Sequence, residues 1–231
     1  MTTTTIPATA TATATAVPAH IRANRVTRSL LGYGVLAGPF YVTVSLAQAL
    51  TRDGFDLTRH AWSLLANGEH GWIQITNFIL TGLMVIAAAV GLHRARPANP
   101  WAGRLTGVYG AGMIAAGILR ADPAMGFPTG TPEGPGTVSW HGLGHLTAGG
   151  IGFLCIIAAC FVVARRFARD GRTGWAMYSR TSGALFLVGF AGIASGNSAP
   201  ALTLGFVAAV IVIWTWLAAV SIDLYRALPC R

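Results

Sequence analysis

The chain has 231 residues, 53% hydrophobic and only 10% charged. A soluble domain usually carries about 25% charged residues, so a water-soluble globule is excluded, and the length leaves room for one compact bundle without a separate soluble domain. The net charge of +9 rests on sixteen arginines and no lysine, which excludes Schiff-base chemistry and a lysine nucleophile.

Residues 2–16 are Thr/Ala low complexity without an aromatic or a charge. Such a stretch predicts disorder, and we take 1–27 as a disordered cytoplasmic tail. It lacks the apolar region of a signal peptide, so the first apolar segment is expected to serve as an uncleaved anchor.

Six segments then follow that are nearly free of charge: 30–50, 72–92, 105–119, 140–163, 181–194 and 201–222. Most approach the roughly 20 residues that span a bilayer core. Lipid offers no partner to an open backbone N–H or C=O, so each is predicted to be a helix. The fold class is therefore all-α: a polytopic membrane protein with a six-transmembrane-helix bundle over 28–226 and a short tail over 227–231. Gly34-xxx-Gly38 in the first segment, and further glycines in the third to fifth, predict close helix contacts.

Thirteen arginines flank the termini and two loops on one side. That side holds only Asp170 and Asp223 and sums to +11. Arg52, Arg59 and Arg120 share the other side with Asp53, Asp56, Glu69, Asp122 and Glu133, for a sum of −2. The positive-inside rule places both termini in the cytoplasm of a cell that carries the protein in its plasma membrane. The basic charge then reports topology and attraction to anionic lipid, with no nucleic-acid partner.

The first outer loop, 51–71, carries Leu57, Ala61, Leu64 and Leu65 on one helical face. It predicts a short interfacial helix over 57–66, started by Asp56, with Trp62 and Trp72 as interfacial anchors. The second outer loop, 121–139, has four prolines and four glycines and reads as an irregular lid. Residues 196–200 form a tight turn. Cys155 and Cys160, five apart inside the fourth segment, point in different directions and read as packing residues.

The outer helix ends hold the unusual side chains. His141 and His145 stand at i and i+4, on one face one turn apart. That spacing suits two ligands of one divalent metal, with Asp122 as the third and His60, Asp56, Glu69 or His70 as further candidates. Against a metal stands Arg120, whose guanidinium would repel a cation and could instead pair with Asp122. Asp122 lies at a helix C-terminus, which is unfavourable to the helix dipole, so it needs a partner. Gln74 and Asn77, one turn inside the boundary, could extend this polar cluster. No P-loop, HExxH or CxxCH motif is present. The first five segments carry no mid-span carboxylate, so no proton pathway is marked.

From about Arg28 to Asp223 the chain resembles a bacterial integral-membrane family catalogued as domain of unknown function 998. The resemblance rests on Gly-Phe-Asp-Leu-Thr-Arg-His at 54–60 with Ser63-Leu64-Leu65, on Gly71-Trp72-Ile73-Gln74, and on Arg120-Ala-Asp122-Pro123. It rests also on Trp140-His141-Gly142-Leu143-Gly144-His145 and on residues 192–196. It implies a six-helix membrane protein and supplies no reaction.

The expectation is a polar pocket at the outer face, lined by Asp56, His60, Ser63, Gln74, Arg120, Asp122, His141 and His145, that binds a lipid headgroup or a small polar ligand. Two alternatives stand beside it. One is a membrane-embedded hydrolase, with Ser63 or a metal supplying the nucleophile and a His the base. The other is an accessory subunit without a site.

Overall fold

The computed structural model describes residues 19–197 and 199–229. Their regular structure is helical: α1 (Ala19–Thr51), α2 (Gly71–Ala95), α3 (Trp101–Ile118), α4 (Trp140–Arg169), α5 (Thr173–Ala194), α6 (Pro200–Ala227), and a short 3-10 helix at Trp62–Ala66. Four of the six helices, α1, α2, α4 and α6, are long and apolar enough to cross a membrane.

One boundary differs from expectation. Residues 19–27 belong to α1 and not to a tail. Their Ala- and Arg-rich sequence favours helix, so the helix extends well beyond its apolar stretch. The disorder expected for 2–16 lies outside the described residues.

Each helix packs against its neighbours in sequence, and α6 closes onto α1. The result is a ring of six. Only α2 and α6 also touch across it among the larger contacts. A glycine sits at every seam of this ring. A Cβ on Gly34 would collide with Ser221 Oγ, and one on Gly38 would lie 2.7 Å from Trp214 Cβ, so α1 and α6 meet at backbone distance. Gly91 does the same between α2 and α1, Gly82 and Gly110 between α2 and α3, and Gly112 between α3 and α4. Gly183 and Gly189 complete the series at α4–α5 and α5–α6. Close approach of this kind is how helices associate where dispersion contact replaces the hydrophobic effect. Outward faces carry exposed apolar side chains on every helix, among them Leu36, Leu83, Val108, Leu154, Val188 and Ile211.

The two ends of the ring are sealed differently. At the arginine-rich end, Arg172 holds Asp223 with two bonds, Nη1 to Oδ2 at 2.9 Å and Nη2 to Oδ1 at 2.6 Å. This ties the α4–α5 turn to α6, and the paired carboxylate raises the Arg172 pKa. Asp223 is thus a structural link.

At the other end the expected surface helix over 57–66 is absent. The Asp56 carboxylate accepts from Thr58 N at 2.8 Å and Thr58 Oγ1 at 2.7 Å. Those bonds hold its pKa below the usual carboxylate range. The backbone N–H of Asp56 donates to His60 Nδ1 at 2.8 Å. Such local bonds compete with helix and leave a turn. Only Trp62–Ala66 winds up, as a 3-10 helix whose Trp62, Leu65 and Ala66 are buried. Trp62 is therefore a core residue and not an interfacial anchor, whereas Trp72 is exposed.

Arg52, at the end of α1, fixes this 3-10 helix. Its Nη1 donates to Leu65 O and its Nη2 to Asn67 O, both at 2.6 Å. Its guanidinium also covers the Phe127 ring at 4.9 Å, which pins the 121–139 loop. Burial lowers the Arg52 pKa, and the two carbonyls offset the loss of water. We expect Arg52→Ala to lower stability by about 2–3 kcal/mol. Arg52→Lys should recover less than half of that, because an ammonium cannot reproduce the fork. Thermal unfolding of the purified protein checks this; equal melting temperatures for wild type and Arg52→Ala would overturn the clamp.

Candidate functional site

The eight residues expected to share one polar pocket do not come together. They separate into four settings, and each side chain has a local reason for its place.

Asp56 and His60 organise the α1–α2 loop. Because a backbone N–H donates to His60 Nδ1, that nitrogen carries no proton, and Nε2 donates to Met125 O at 2.9 Å. His60 is 2% exposed and packs against Phe55 and Phe127. It is a pin between the two loops of this end. The ion pair of Arg59 with Glu133 adds a second link.

Gln74 lies in a buried polar network between α1 and α2. Its Oε1 accepts from Gln48 Nε2 at 2.8 Å, and its Nε2 donates to Ser45 Oγ at 3.1 Å. Asn77 Nδ2 donates to Tyr41 O and Ser45 Oγ, both at 3.1 Å. These groups bond mainly to one another inside the bundle, with Gln48 Oε1 the member left buried without a partner among the described residues. They do not extend the outer cluster.

Asp122 is held by Ser139 and not by Arg120. Ser139 N donates to Oδ2 at 2.7 Å and Ser139 Oγ to Oδ1 at 2.5 Å. Ser139 in turn caps α4, accepting from Gly142 N at 3.1 Å. The dipole argument is met in this way: the carboxylate leaves the C-terminal end of α3 and comes to rest at the N-terminal end of α4, where a negative charge is favoured. A Cβ on Gly142 would collide with this carboxylate, so glycine is required there. Arg120 is exposed, with no ion pair among the described residues.

His141 and His145 share a face of α4 but not a task. His141 stacks on Trp140, ring centroids 3.5 Å apart, and its Nδ1 is buried without a partner. His145 turns towards α3. Its Nδ1 lies 2.8 Å from Ala116 O and 3.0 Å from Leu119 O. Carbonyls only accept, so Nδ1 carries the proton. These carbonyls belong to the last turn of α3, where intrahelical donors run out. Among the described residues, no three His, Cys, Asp or Glu side chains gather to hold a metal ion. The set His141, His145 and Asp122 fails because two of its members are committed elsewhere.

The structure offers a different site, which sequence reasoning missed. A cavity of about 210 Å³ occupies the centre of the ring beneath the 3-10 helix. Every helix contributes to it: Tyr41, Phe78, Tyr109 and Met113, His145 and Phe153, Phe190, and Phe206. Trp62 and Ser63 form its roof. Its walls are aromatic and aliphatic. Phe153 contacts Phe186, Phe190 and Phe206, with centroids 5.1 to 5.7 Å apart. Of the eight expected residues, only Ser63 and His145 line it. No hydrogen bond joins these two among the described residues, and no carboxylate orients the His145 ring. A serine–histidine–acid relay is not assembled.

The cavity reaches the surface between α4 and α5, where its lining residues Leu146 and Ala194 are exposed. The reason is local. A Cβ on Gly149 would meet nothing within 4 Å, and one on Gly150 would meet only Phe190. The α4–α5 seam closes at Gly183 and Cys160 and parts towards the 3-10 helix.

Comparison with known families gives one match. Residues 35–223 match the family described as protein of unknown function (DUF998), and the chain belongs to that family. No curated protein and no solved structure matches it.

The assignment of Asp122 is open to direct measurement. Ser139→Ala should cost about 1–2 kcal/mol through the lost cap. Asp122→Asn should cost about 1 kcal/mol, and the double variant less than the sum of the two. Arg120→Gln should change stability by less than about 0.5 kcal/mol. A large loss in Arg120→Gln, seen in thermal unfolding, would return Asp122 to Arg120.

Proposed function

We propose that this DUF998 protein spans the cell membrane six times, with both termini in the cytoplasm, and binds a small, mainly apolar molecule in its central chamber. The observation that carries the binding reading is the chamber itself, an aromatic-lined space of about 210 Å³ that opens sideways between α4 and α5. An engineered protein cavity of about 150 Å³ already holds benzene. This one is sized for roughly ten non-hydrogen atoms. The ligand class thus shifts from the polar molecule expected from sequence to an apolar one, because the outer carboxylates are engaged in capping and turns.

Two observations support six spans. α3 and α5 stand in the same ring as the four longer helices. Their 18 and 22 residues correspond to about 27 and 33 Å at 1.5 Å per residue, close to the bilayer core of about 30 Å. The thirteen arginines at one end and three at the other support cytoplasmic termini. The opening would then face the outer leaflet, and a membrane-dissolved ligand would enter without crossing water.

Two outcomes are expected. In a cysteine-free background, Gly130→Cys should be labelled by an impermeant reagent from outside intact cells, and Arg169→Cys only after permeabilisation. The reverse pattern would invert the topology. For the chamber, p-cymene at ten times its dissociation constant should stabilise the wild type by about 1.4 kcal/mol, a rise of roughly 3–5 °C in melting temperature. Gly149→Leu puts four carbons into the chamber, leaving too little room for p-cymene, and should abolish the rise while remaining folded. An equal rise in both proteins would place the ligand elsewhere.

A further inference from the structure

We infer that the chamber selects apolar molecules bearing a hydroxyl group, a phenol or alcohol of about ten carbons, which donates a hydrogen bond to Nε2 of His145. This rests on the chamber being the binding site and names the chemistry it would take.

His145 is 7% exposed and lines the chamber. Its Nδ1 proton is fixed by Ala116 O and Leu119 O, at 2.8 and 3.0 Å. In the neutral ring, Nε2 is then a lone pair, an acceptor that waits for a donor. It has no hydrogen-bond partner among the described residues, yet it is not sealed from space as the buried Nδ1 of His141 is. An open acceptor in an apolar space is unfavourable until something donates to it. Tyr109 presents a second polar group. It lines the chamber from α3, and its hydroxyl likewise has no hydrogen-bond partner among the described residues. Tyr109 and Ala116 are seven residues apart on α3, about 10 Å along the axis. A ligand hydroxyl at His145 leaves the rest of its body against the aromatic rings of the chamber. Carboxylates and phosphates fit poorly, because no arginine lines the chamber.

The test uses the full-length protein in lipid nanodiscs. Binding is read as the excess retained over empty nanodiscs. Three probes of one shape are compared: thymol, its methyl ether, and p-cymene, which lacks the oxygen. Thymol should bind about fivefold tighter than either of the others, the usual worth of one hydrogen bond. His145→Asn keeps an N–H near the Nδ1 position for the α3 carbonyls and removes Nε2. In that variant thymol should bind no tighter than p-cymene or the methyl ether, whatever the common affinity of the three. Gly149→Leu should remove binding of all three. Equal binding of the three probes to the wild type, lost in Gly149→Leu, would overturn the hydroxyl selectivity and leave the chamber reading standing. A thymol preference that persists in His145→Asn would overturn the role of His145. No retention of any probe by the wild type would overturn the inference and the binding reading together.

Discussion

Six helices packed side by side in a ring cannot fill their own centre. In a regular hexagon the distance from centre to corner equals the distance between corners. Neighbouring axes at 8–10 Å therefore leave an axial space about as wide as one more helix. The chain meets this constraint in two ways. It flattens the ring, so that α2 reaches α6. It also sends large side chains inward. Trp214 lies 5.5 Å from Tyr41 and 5.8 Å from Tyr109, centroid to centroid, and joins α1, α3 and α6 across the middle. Beyond this aromatic floor the filling stops, and the space below the 3-10 helix stays open.

The end that carries the chamber is also where the loops are most elaborate, and the two facts are connected. An open centre needs a cover. The 3-10 helix supplies it, with Trp62 inserted beside Tyr41 at 5.9 Å. A five-residue 3-10 helix has little stability of its own. It is held by the Arg52 fork, by His60 bridging Asp56 and Met125, and by Phe127 packed beneath both. The charged and polar residues of this end are thus spent on holding a cover in place. The opposite end carries no such cover among the described residues; there Arg172 pairs with Asp223, Arg28 donates to Tyr225 O and Arg94 to Thr27 Oγ1.

This division explains what was legible in the sequence. Helix number and approximate ends follow from apolar length, because lipid-facing backbone has no alternative to helix. The glycine spacing was also informative: Gly34 and Gly38, Gly110, Gly183 and Gly189 all sit where backbones meet. Gly149 looked the same in sequence and does the opposite, since it borders empty space. The i, i+4 histidines do share a face, but spacing cannot say that α3 ends beside His145 with two free carbonyls. Nor can it say that Asp122 crosses from one helix end to the next. The chamber was invisible because its walls come from all six helices, and each aromatic alone resembles a lipid-facing residue. A signal that was available is the pair Tyr41 and Tyr109, hydroxyl-bearing side chains placed inside apolar segments.

An unfilled centre is itself an energetic statement. Left unoccupied, a space of 210 Å³ would forgo up to about 5 kcal/mol of packing at about 24 cal/mol per Å³, as much as the whole net stability of many domains. Inside a membrane the penalty falls on dispersion contact, the very interaction that the glycine seams maximise elsewhere in the ring. A chain that packs six seams to backbone distance and leaves its core hollow is not short of ways to close it. Leucine in place of Gly149 would take up much of it from one position. The void persists together with a roof clamped by Arg52, a parted α4–α5 seam, and a histidine acceptor left open on its wall. The open space and the open acceptor are locally unfavourable, and an apolar occupant that donates one hydrogen bond would offset both at once. Binding of that kind stabilises the folded chain by mass action.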